Sequence, residues 1–294
     1  MQTAMKPPTQ ITAISDERAL LQRRITSAIV IVTLIFASLI VLLPILWAWS
    51  TSLRLPKDSF AMPPQWLPTD WRWQNYADVF AQVPFGQYIL NSLKVTILTV
   101  AGQLATSTLA AYAFARLRFP GKNILFVMLM SALMIPLFAT IIPIFVIIRN
   151  LGLADTHEAL ILPALVTPFG IFLMRQFFLT IPTELEDAAK LDGAGPFRIF
   201  WHIFLPLGLP GIAVLSVLSF NTHWNEYFRP LIFLNSWEKF TIPLGIVNLI
   251  GPASQGSTYL VLAGVMISLI PVVVLILFAQ RYLVEGIILT GSKG

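Results

Sequence analysis

The sequence predicts an all-α, polytopic membrane protein with six transmembrane helices, and three observations carry that prediction. Of 294 residues, 56% are hydrophobic and only 11% charged, with a mean hydropathy of +0.78, against about 25% charged in an ordinary soluble domain. The few Asp, Glu, Lys and Arg residues are segregated, leaving long tracts with none. Six such tracts occur, and a hydrocarbon core needs about 20 apolar residues per helix. The net charge of +5 does not mark a nucleic-acid binder, because the basic residues lie between the apolar tracts rather than in one patch. Cysteine is absent, which excludes disulfides, thiolate metal sites and cysteine nucleophiles.

In chain order, a polar cytoplasmic tail over 1–24 precedes the first tract, Ile25 to Leu53. Arg23-Arg24 before it resembles a signal-peptide flank, but the apolar run exceeds the 7–15 residues of such a segment and no A-x-A-like cleavage site follows, so it is expected to remain as a spanning helix. The second and third spans are Val95 to Ala115 and Asn123 to Ile148. The fourth, Ala159 to Met174, is short and holds Pro163, Pro168 and Gly170; it reaches full length if Arg175 snorkels and the helix runs on through Gln176-Phe177-Phe178. The tract Ile199 to Asn225 exceeds what a membrane needs, so the fifth span starts near Leu205 after an interfacial approach. Gly256 to Gln280 supplies the sixth, and the membrane domain as a whole covers 25–284, with a C-terminal cytoplasmic tail over 285–294.

Six spans put both termini on one side. Assigning that side to the cytoplasm places twelve of the 19 basic residues there and seven outside, most clearly at Arg116-Leu117-Arg118-Phe119-Pro120-Gly121-Lys122. Two sizeable loops then face outward. Arg54 to Asn91, with Pro63-Pro64-Gln65-Trp66, Trp71 and Trp73, suits aromatic anchoring at the interface, and Arg229 to Ser257 joins the last two spans. Only one inward loop is long, about 175–204.

That loop carries helix signals. Thr183 and Glu186 have capping-box spacing, acidic residues crowd the N-terminal end, Glu186 can pair with Lys190 at i,i+4, and Gly193 suits the position just past the helix end. A helix of about two turns is unstable alone. Its narrow face of Leu185, Ala188, Ala189 and Asp192 permits close approach of another protein, although a capped helix lying on the bilayer needs no partner. Pro196 starts a second short helix, before Leu205-Pro206 turns the chain into the membrane.

The run Glu186-Asp187-Ala188-Ala189-Lys190-Leu191-Asp192-Gly193-Ala194, followed by Phe200, Ile203 and Leu205-Pro206-Leu207, resembles the EAA loop of ATP-binding-cassette (ABC) importer permeases. Ala110-Ala111-Tyr112-Ala113-Phe114-Ala115-Arg116-Leu117, Met134-Ile135-Pro136, Gly170-Ile171-Phe172-Leu173-Met174-Arg175-Gln176-Phe177-Phe178 and Gln280-Arg281-Tyr282-Leu283-Val284-Glu285-Gly286 extend the similarity to the carbohydrate-uptake branch, in particular to the smaller permease of maltose-type systems. The resemblance covers nearly the whole chain. It implies a multi-pass protein of the bacterial inner membrane whose EAA loop is a coupling helix seated in a cleft of the ATPase subunit, with Glu186, Asp187, Ala188, Ala189, Asp192 and Gly193 as the docking residues. The implied partners are a second homologous permease, a homo- or heterodimer of ABC ATPases, a periplasmic or lipid-anchored solute-binding protein, and membrane lipid. The implied solute is a sugar or sugar-like compound such as an oligosaccharide, a disaccharide or glycerol phosphate. One departure stands out: Asp187 occupies the place of the glutamate that opens the EAA triplet, one methylene shorter.

Asn221, His223, Trp224, Asn225 and Glu226 cluster at the outer end of the fifth span. Polar groups at membrane depth face protein or water-filled cavities, so Asn221, Trp224, Asn225 and Glu226 either line a gate or pathway or hydrogen-bond to the second permease. Gln103, Thr99, Thr106, Ser107 and Thr108 are expected to hold helices together. The three histidines have no zinc-enzyme spacing, and His157 suits a helix start. A Gly-x-x-x-x-Gly-Lys-Ser/Thr loop is missing, so ATP and Mg²⁺ belong to the partner subunits and no cofactor is expected in this chain. Two other readings compete: an intramembrane enzyme using Glu226 or His223, with Asn225 as the only local companion, and an autonomous channel or secondary carrier, which should show inverted repeats or intramembrane charges.

Overall fold

A computed structural model describes residues 10–55, 58, 66–250 and 258–291, with side chains from 23 to 280 within those ranges. The expectations for residues 1–9, for Pro63-Pro64-Gln65, for 251–257 and for 292–294 lie outside the described residues, as do the side chains of the ending after Gln280. Among the described residues every regular element is helical: α1 (Gln10–Ser52), α2 (Gln74–Gln82), α3 (Phe85–Arg116), α4 (Lys122–Ser131), α5 (Leu137–Asn150), α6 (Glu158–Ile161), α7 (Pro168–Thr180), α8 (Thr183–Leu191), α9 (Pro196–Ile199), α10 (Leu205–Leu207), α11 (Leu209–Trp224), α12 (Phe228–Phe233), α13 (Ile242–Asn248) and α14 (Thr258–Gly291), with short 3₁₀ and π turns between some of them.

Three stretches are long and apolar enough to cross a membrane as single helices: Arg23–Ser52, Phe85–Arg116 and Thr258–Gln280. Three further stretches reach that length only as bent helix pairs. Lys122–Met134 meets Leu137–Asn150 at 103°, Glu158–Ala164 meets Pro168–Thr180 at 42°, and Pro196–Leu207 meets Leu209–Trp224 at 73°. The third charge-free tract is therefore not the single span expected. Pro136 disfavours the helical region for Ile135, which is extended at φ −85°, ψ 118°, and the chain restarts as α5 only after it.

The fourth span breaks at residues 165–167 and restarts with Thr167 as N-cap, its side chain accepting from the Gly170 N–H, and Pro168 in the first turn. Its helix does run on through Gln176-Phe177-Phe178. Arg175, however, is tied inside the protein: Nε donates to the Phe114 carbonyl at 3.2 Å, and the guanidinium lies 4.4 Å from the Phe126 ring centre. In the fifth span Pro206 and Pro210 each remove a ladder donor, and a π turn over Phe200–Phe204 precedes the bend. The chain turns at Gly208, two residues beyond the Leu205-Pro206 step expected. A Cβ there would lie 2.6 Å from Phe178 Cε1 and 2.8 Å from the Phe204 carbonyl, so only glycine lets α7 come this close.

Several boundaries shift. Helix α1 begins at Gln10, within the stretch expected as a polar tail, and α14 runs to Gly291. Helix α3 begins at Phe85 rather than Val95, so the first outer loop is shorter than expected and carries α2. Within that loop Trp49, Trp71, Trp73 and Tyr76 form a chain of ring contacts 5.5–6.4 Å apart, with Trp71 and Trp73 exposed, as an interfacial belt requires.

Helix α3 is the axis of the fold and packs on α7 and α11, while α1 lies along α14. Small and polar residues make the α3–α7 contact close. A Cβ on Gly170 would sit 2.5 Å from Ser107 Oγ, and Thr106 Oγ1 and Gln103 Nε2 donate to the Leu165 and Ala164 carbonyls, both at 2.7 Å, which the break in the fourth span leaves free. Loops assigned to the same side gather at the same end. Arg116 reaches the Ile181 carbonyl at one end, and at the other Gln87 and Asn91 donate to Glu238 and Phe240 carbonyls at 2.8–2.9 Å.

Candidate functional site

At the end predicted to face the cytoplasm, α8 is presented on a platform of Ala111, Tyr112, Met174, Phe178, Ile181, Ile199, Phe200 and Phe204. The capping box does not form. Pro182 occupies the N-cap, so Thr183 is already helical and its hydroxyl makes no cap bond. Glu186 is the residue of α8 that faces inward. Its side chain is 8% exposed, 3.9 Å from Arg116 Nη1 and 2.8 Å from Lys190 Nζ, so the i,i+4 pair forms but Glu186 is not on the docking face expected for it. The hydrogen bond that Lys190 donates to Glu186 and the charges of Glu186 and Asp187 hold the Lys190 ammonium above its ordinary pKa.

Arg116 is the anchor. Its guanidinium donates to the Phe178 carbonyl at 2.6 Å and to the Ile181 carbonyl, and lies 5.0 Å from the Phe204 ring centre. One side chain thus ties the end of α3 to the end of α7, to the start of the loop and to α8. Beside it a polar cleft of ≈ 740 Å³ separates α8 from the 116–122 turn, with Arg118, Lys122 and Asp187 at its walls. At the other end of α8, Gly193 takes φ +75°, where a Cβ is penalised. Gly193 N–H donates to Lys190 O at 3.0 Å and Ala194 N–H to Ala189 O at 2.9 Å, the paired bonds of a Schellman ending.

Exposed on α8 are Glu184, Leu185, Asp187, Ala188, Lys190 and Leu191, with Asp192 and Gly193 at its end, and of these Glu184, Asp187, Ala188 and Leu191 share one face. Asp187 leaves 70% of its side chain in the open, while Ala189 is half-buried on the platform. Leu191, missed in reading the sequence, is 90% exposed. The spacing 184/187/188/191 is the i, i+3, i+4, i+7 pattern of one helix face and is visible in the sequence once the inward position of Glu186 is known. In the sequence Arg116 is a charge at the end of a span and part of the run Ala110 to Leu117; nothing local links it to Phe178, 62 residues away.

The second cluster lies where α11 ends. Arg229 pairs with both carboxylate oxygens of Glu226 and donates to the Leu160 carbonyl at 3.2 Å. Gln103 Nε2 donates to Ala164 O at 2.7 Å and lies 3.0 Å from His223 Nε2, while His223 Nδ1 lies 3.2 Å from Glu226 and 3.3 Å from Arg229. Of the four residues predicted here, Glu226 belongs to this internal network. Trp224 is neither pathway nor partner surface: it is 2% exposed, stacks on Phe220 and donates to Ser268 O at 2.9 Å. Asn221 and Asn225 are exposed and bonded to each other. The i,i+3 steps His223-Glu226-Arg229 were legible; the tie to Gln103, 120 residues away, was not. His157 starts α6 without a side-chain cap and spends its ring nitrogens on Lys94 and the Lys239 carbonyl.

The signature of the family described as "Binding-protein-dependent transport system inner membrane component" matches residues 103–288, a span that holds both clusters. An sn-glycerol-3-phosphate transport system permease protein of Yersinia pestis bv. Antiqua is 34% identical over 264 residues, covering 87% of this chain and 94% of that protein. An arabinooligosaccharides transport system permease protein of Halalkalibacterium halodurans is 38% identical over 205 residues, covering 69% and 73%. Among solved structures, a bacterial ABC transporter involved in the import of the acidic polysaccharide alginate superimposes with a TM-score of 0.77 at 26% identity, covering 89% of this chain and 98% of that one. The exposed helix on its buried anchor, the broken spans around a polar core and these similarities lead to one assignment: the chain belongs to the family of binding-protein-dependent transport system inner membrane components, as a multi-pass permease subunit of an ABC importer.

Proposed function

We propose that this chain, with a second homologous permease, forms the alternating-access pathway for a sugar or sugar-like solute delivered by an outside solute-binding protein, with both termini and α8 in the cytoplasm. Helix α8 docks in a cleft of a cytoplasmic ATPase subunit, and ATP with Mg²⁺ is bound and hydrolysed there. The observation that carries this is the exposed face Asp187-Ala188-Leu191 held on the buried Arg116–Glu186 anchor. An exposed leucine beside an alanine and a carboxylate, on a helix too short to stand alone, suits a protein cleft with a basic rim. The anchor makes the helix follow α3 and α7 as one unit. Relatives named for glycerol phosphate and arabinooligosaccharides support the class of solute. Asp187→Arg tests the reading in the assembled complex: membrane insertion stays intact and ATP hydrolysis continues while uptake is lost. Wild-type uptake by that variant would refute the docking role.

A further inference from the structure

The cleft of ≈ 740 Å³ beside α8 shares the walls Leu117, Arg118 and Lys122 with a hollow of ≈ 450 Å³ at the start of α4. Charge on the cleft walls is unbalanced, since Arg116, Arg118, Lys122 and Lys190 stand against Glu186 and Asp187 alone. Both carboxylates are already served: Lys190 lies 2.8 Å from Glu186 and 3.7 Å from Asp187, and Arg116 lies 3.9 Å from Glu186. Among the described residues Arg118 and Lys122 have no carboxylate partner, and Lys122 spends its ammonium on the Leu117 and Ala115 carbonyls. Two buried groups in the lining are unspent as well. Tyr112 is 5% exposed and its hydroxyl has no partner among the described residues, and neither has Nε of Arg116, whose side chain is 6% exposed. A buried polar group left unpaired is costly, so these two point to something that completes them. Every unspent group here is an N–H or O–H donor, and donors with two surplus positive charges select an oxyanion.

We propose that Tyr112, Arg116, Arg118 and Lys122 hold the phosphate of an anionic phospholipid from the leaflet on the α8 side, with phosphatidylglycerol as its simplest form. What adjoins the donors sets the source of the phosphate. Ile124, Val127 and Met128, exposed at i, i+3 and i+4, make an apolar stripe along α4 that begins beside Lys122, where acyl chains can lie. A free phosphate ion makes no use of that stripe. The first N–H groups of α4, which Gly121 caps without a side-chain bond, add donors at the same place. The headgroup is net anionic because both carboxylates of the cleft already have their cations, so an ethanolamine or choline ammonium finds no free counter-charge there. The inference concerns lipid alone and holds whatever solute the complex moves.

The test uses the complete complex, purified with its second permease and ATPases in a neutral detergent and titrated with dioleoylphosphatidylglycerol or dioleoylphosphatidylcholine. Native mass spectrometry counts the lipid retained. The wild type retains phosphatidylglycerol in preference to phosphatidylcholine. Arg118→Gln, which removes no contact to the described residues, raises the phosphatidylglycerol concentration for half-maximal retention about fivefold. Tyr112→Phe, which removes only the unpartnered hydroxyl, raises it about threefold. Arg198→Gln, an exposed charge on α9 that lines neither hollow, leaves it unchanged. Equal retention of the two lipids by the wild type, an unshifted titration in Arg118→Gln or Tyr112→Phe, or an equal shift from Arg198→Gln overturns the inference. Radiolabelled inorganic phosphate bound by the wild type and lost in Arg118→Gln, without any preference for phosphatidylglycerol, overturns it in favour of a free oxyanion. Loss of the second permease or of the ATPases from Arg118→Gln preparations overturns it in favour of a subunit contact.

Discussion

Replacing Arg116 by methionine should release the α8 loop without unfolding the bundle. Methionine keeps the apolar stem on Phe204 but removes the donors to the Phe178 and Ile181 carbonyls and the cation facing Glu186. Glu186 retains Lys190, but that ammonium is exposed and screened by water, so the pair does not replace the buried cation. The main loss is therefore two carbonyls left without a donor, each worth about 1–3 kcal/mol where water cannot replace it. Allowing for water reaching the Ile181 end, the loop becomes easier to open by about 2–4 kcal/mol, or roughly 30- to 1,000-fold at 1.36 kcal/mol per decade. Hydrogen exchange of peptides covering 182–195 in nanodiscs reads this directly. Protection there should fall by that factor while peptides from α3 and α11 keep theirs. Protection of 182–195 unchanged within threefold would refute the anchor.

Gly193→Ala should destabilise the end of α8 by about 1–2 kcal/mol, because φ is +75° with open space around it, and Gly193→Asn should restore most of this; exchange at Ala194, with ATP-driven uptake, checks both. Gly170→Ala places a Cβ 2.5 Å from Ser107 Oγ and 2.6 Å from Thr167 Cγ2, so the α3–α7 contact loses about 1–3 kcal/mol, read as a lower thermal midpoint in detergent, and Ser107→Gly in the same chain recovers part of it. Asp155 links the outer loops: burial alone would raise its pKa, but hydrogen bonds from the Ser236 hydroxyl and N–H, the Asn235 N–H and Lys239 outweigh this and hold the carboxyl well below the usual carboxylate range. A carboxyl depressed in the fold contributes stability that is present above its unfolded pKa of about 3.9 and is lost only as pH falls through the lower native value. The difference in thermal midpoint between wild type and Asp155→Asn, which keeps the φ +59° backbone, should thus be the same at pH 4.5 and 7.5.

Much of this architecture was legible because apolar tracts and scarce charges report directly on the membrane. Scarcity of charge located three long apolar helices and three bent pairs, and the run from Glu186 to Ala194 located the exposed helix α8. Prolines were legible as risks but not as geometry: the helices on either side of Pro136 meet at 103°, whereas α14 runs unbroken through Pro271. The inward position of Glu186 was not legible, because its partner Arg116 lies far away in sequence, whereas of the expected face Leu185, Ala188, Ala189 and Asp192 only Ala189 is half-buried. Both networks hinge on partners far apart in sequence, Arg116 with Ile181 and Gln103 with His223, which no local pattern announces.

The central claim is that the face Asp187-Ala188-Leu191 sits in the ATPase subunit. The chain has no cysteine, so a single one at Ala188 can carry a benzophenone without background. Illumination of the assembled complex should then yield a covalent adduct with the ATPase subunit, while the same label at Ile124, 63% exposed on α4, yields none. An Ala188 label that captures only lipid, at the level seen from Ile124, would contradict the claim.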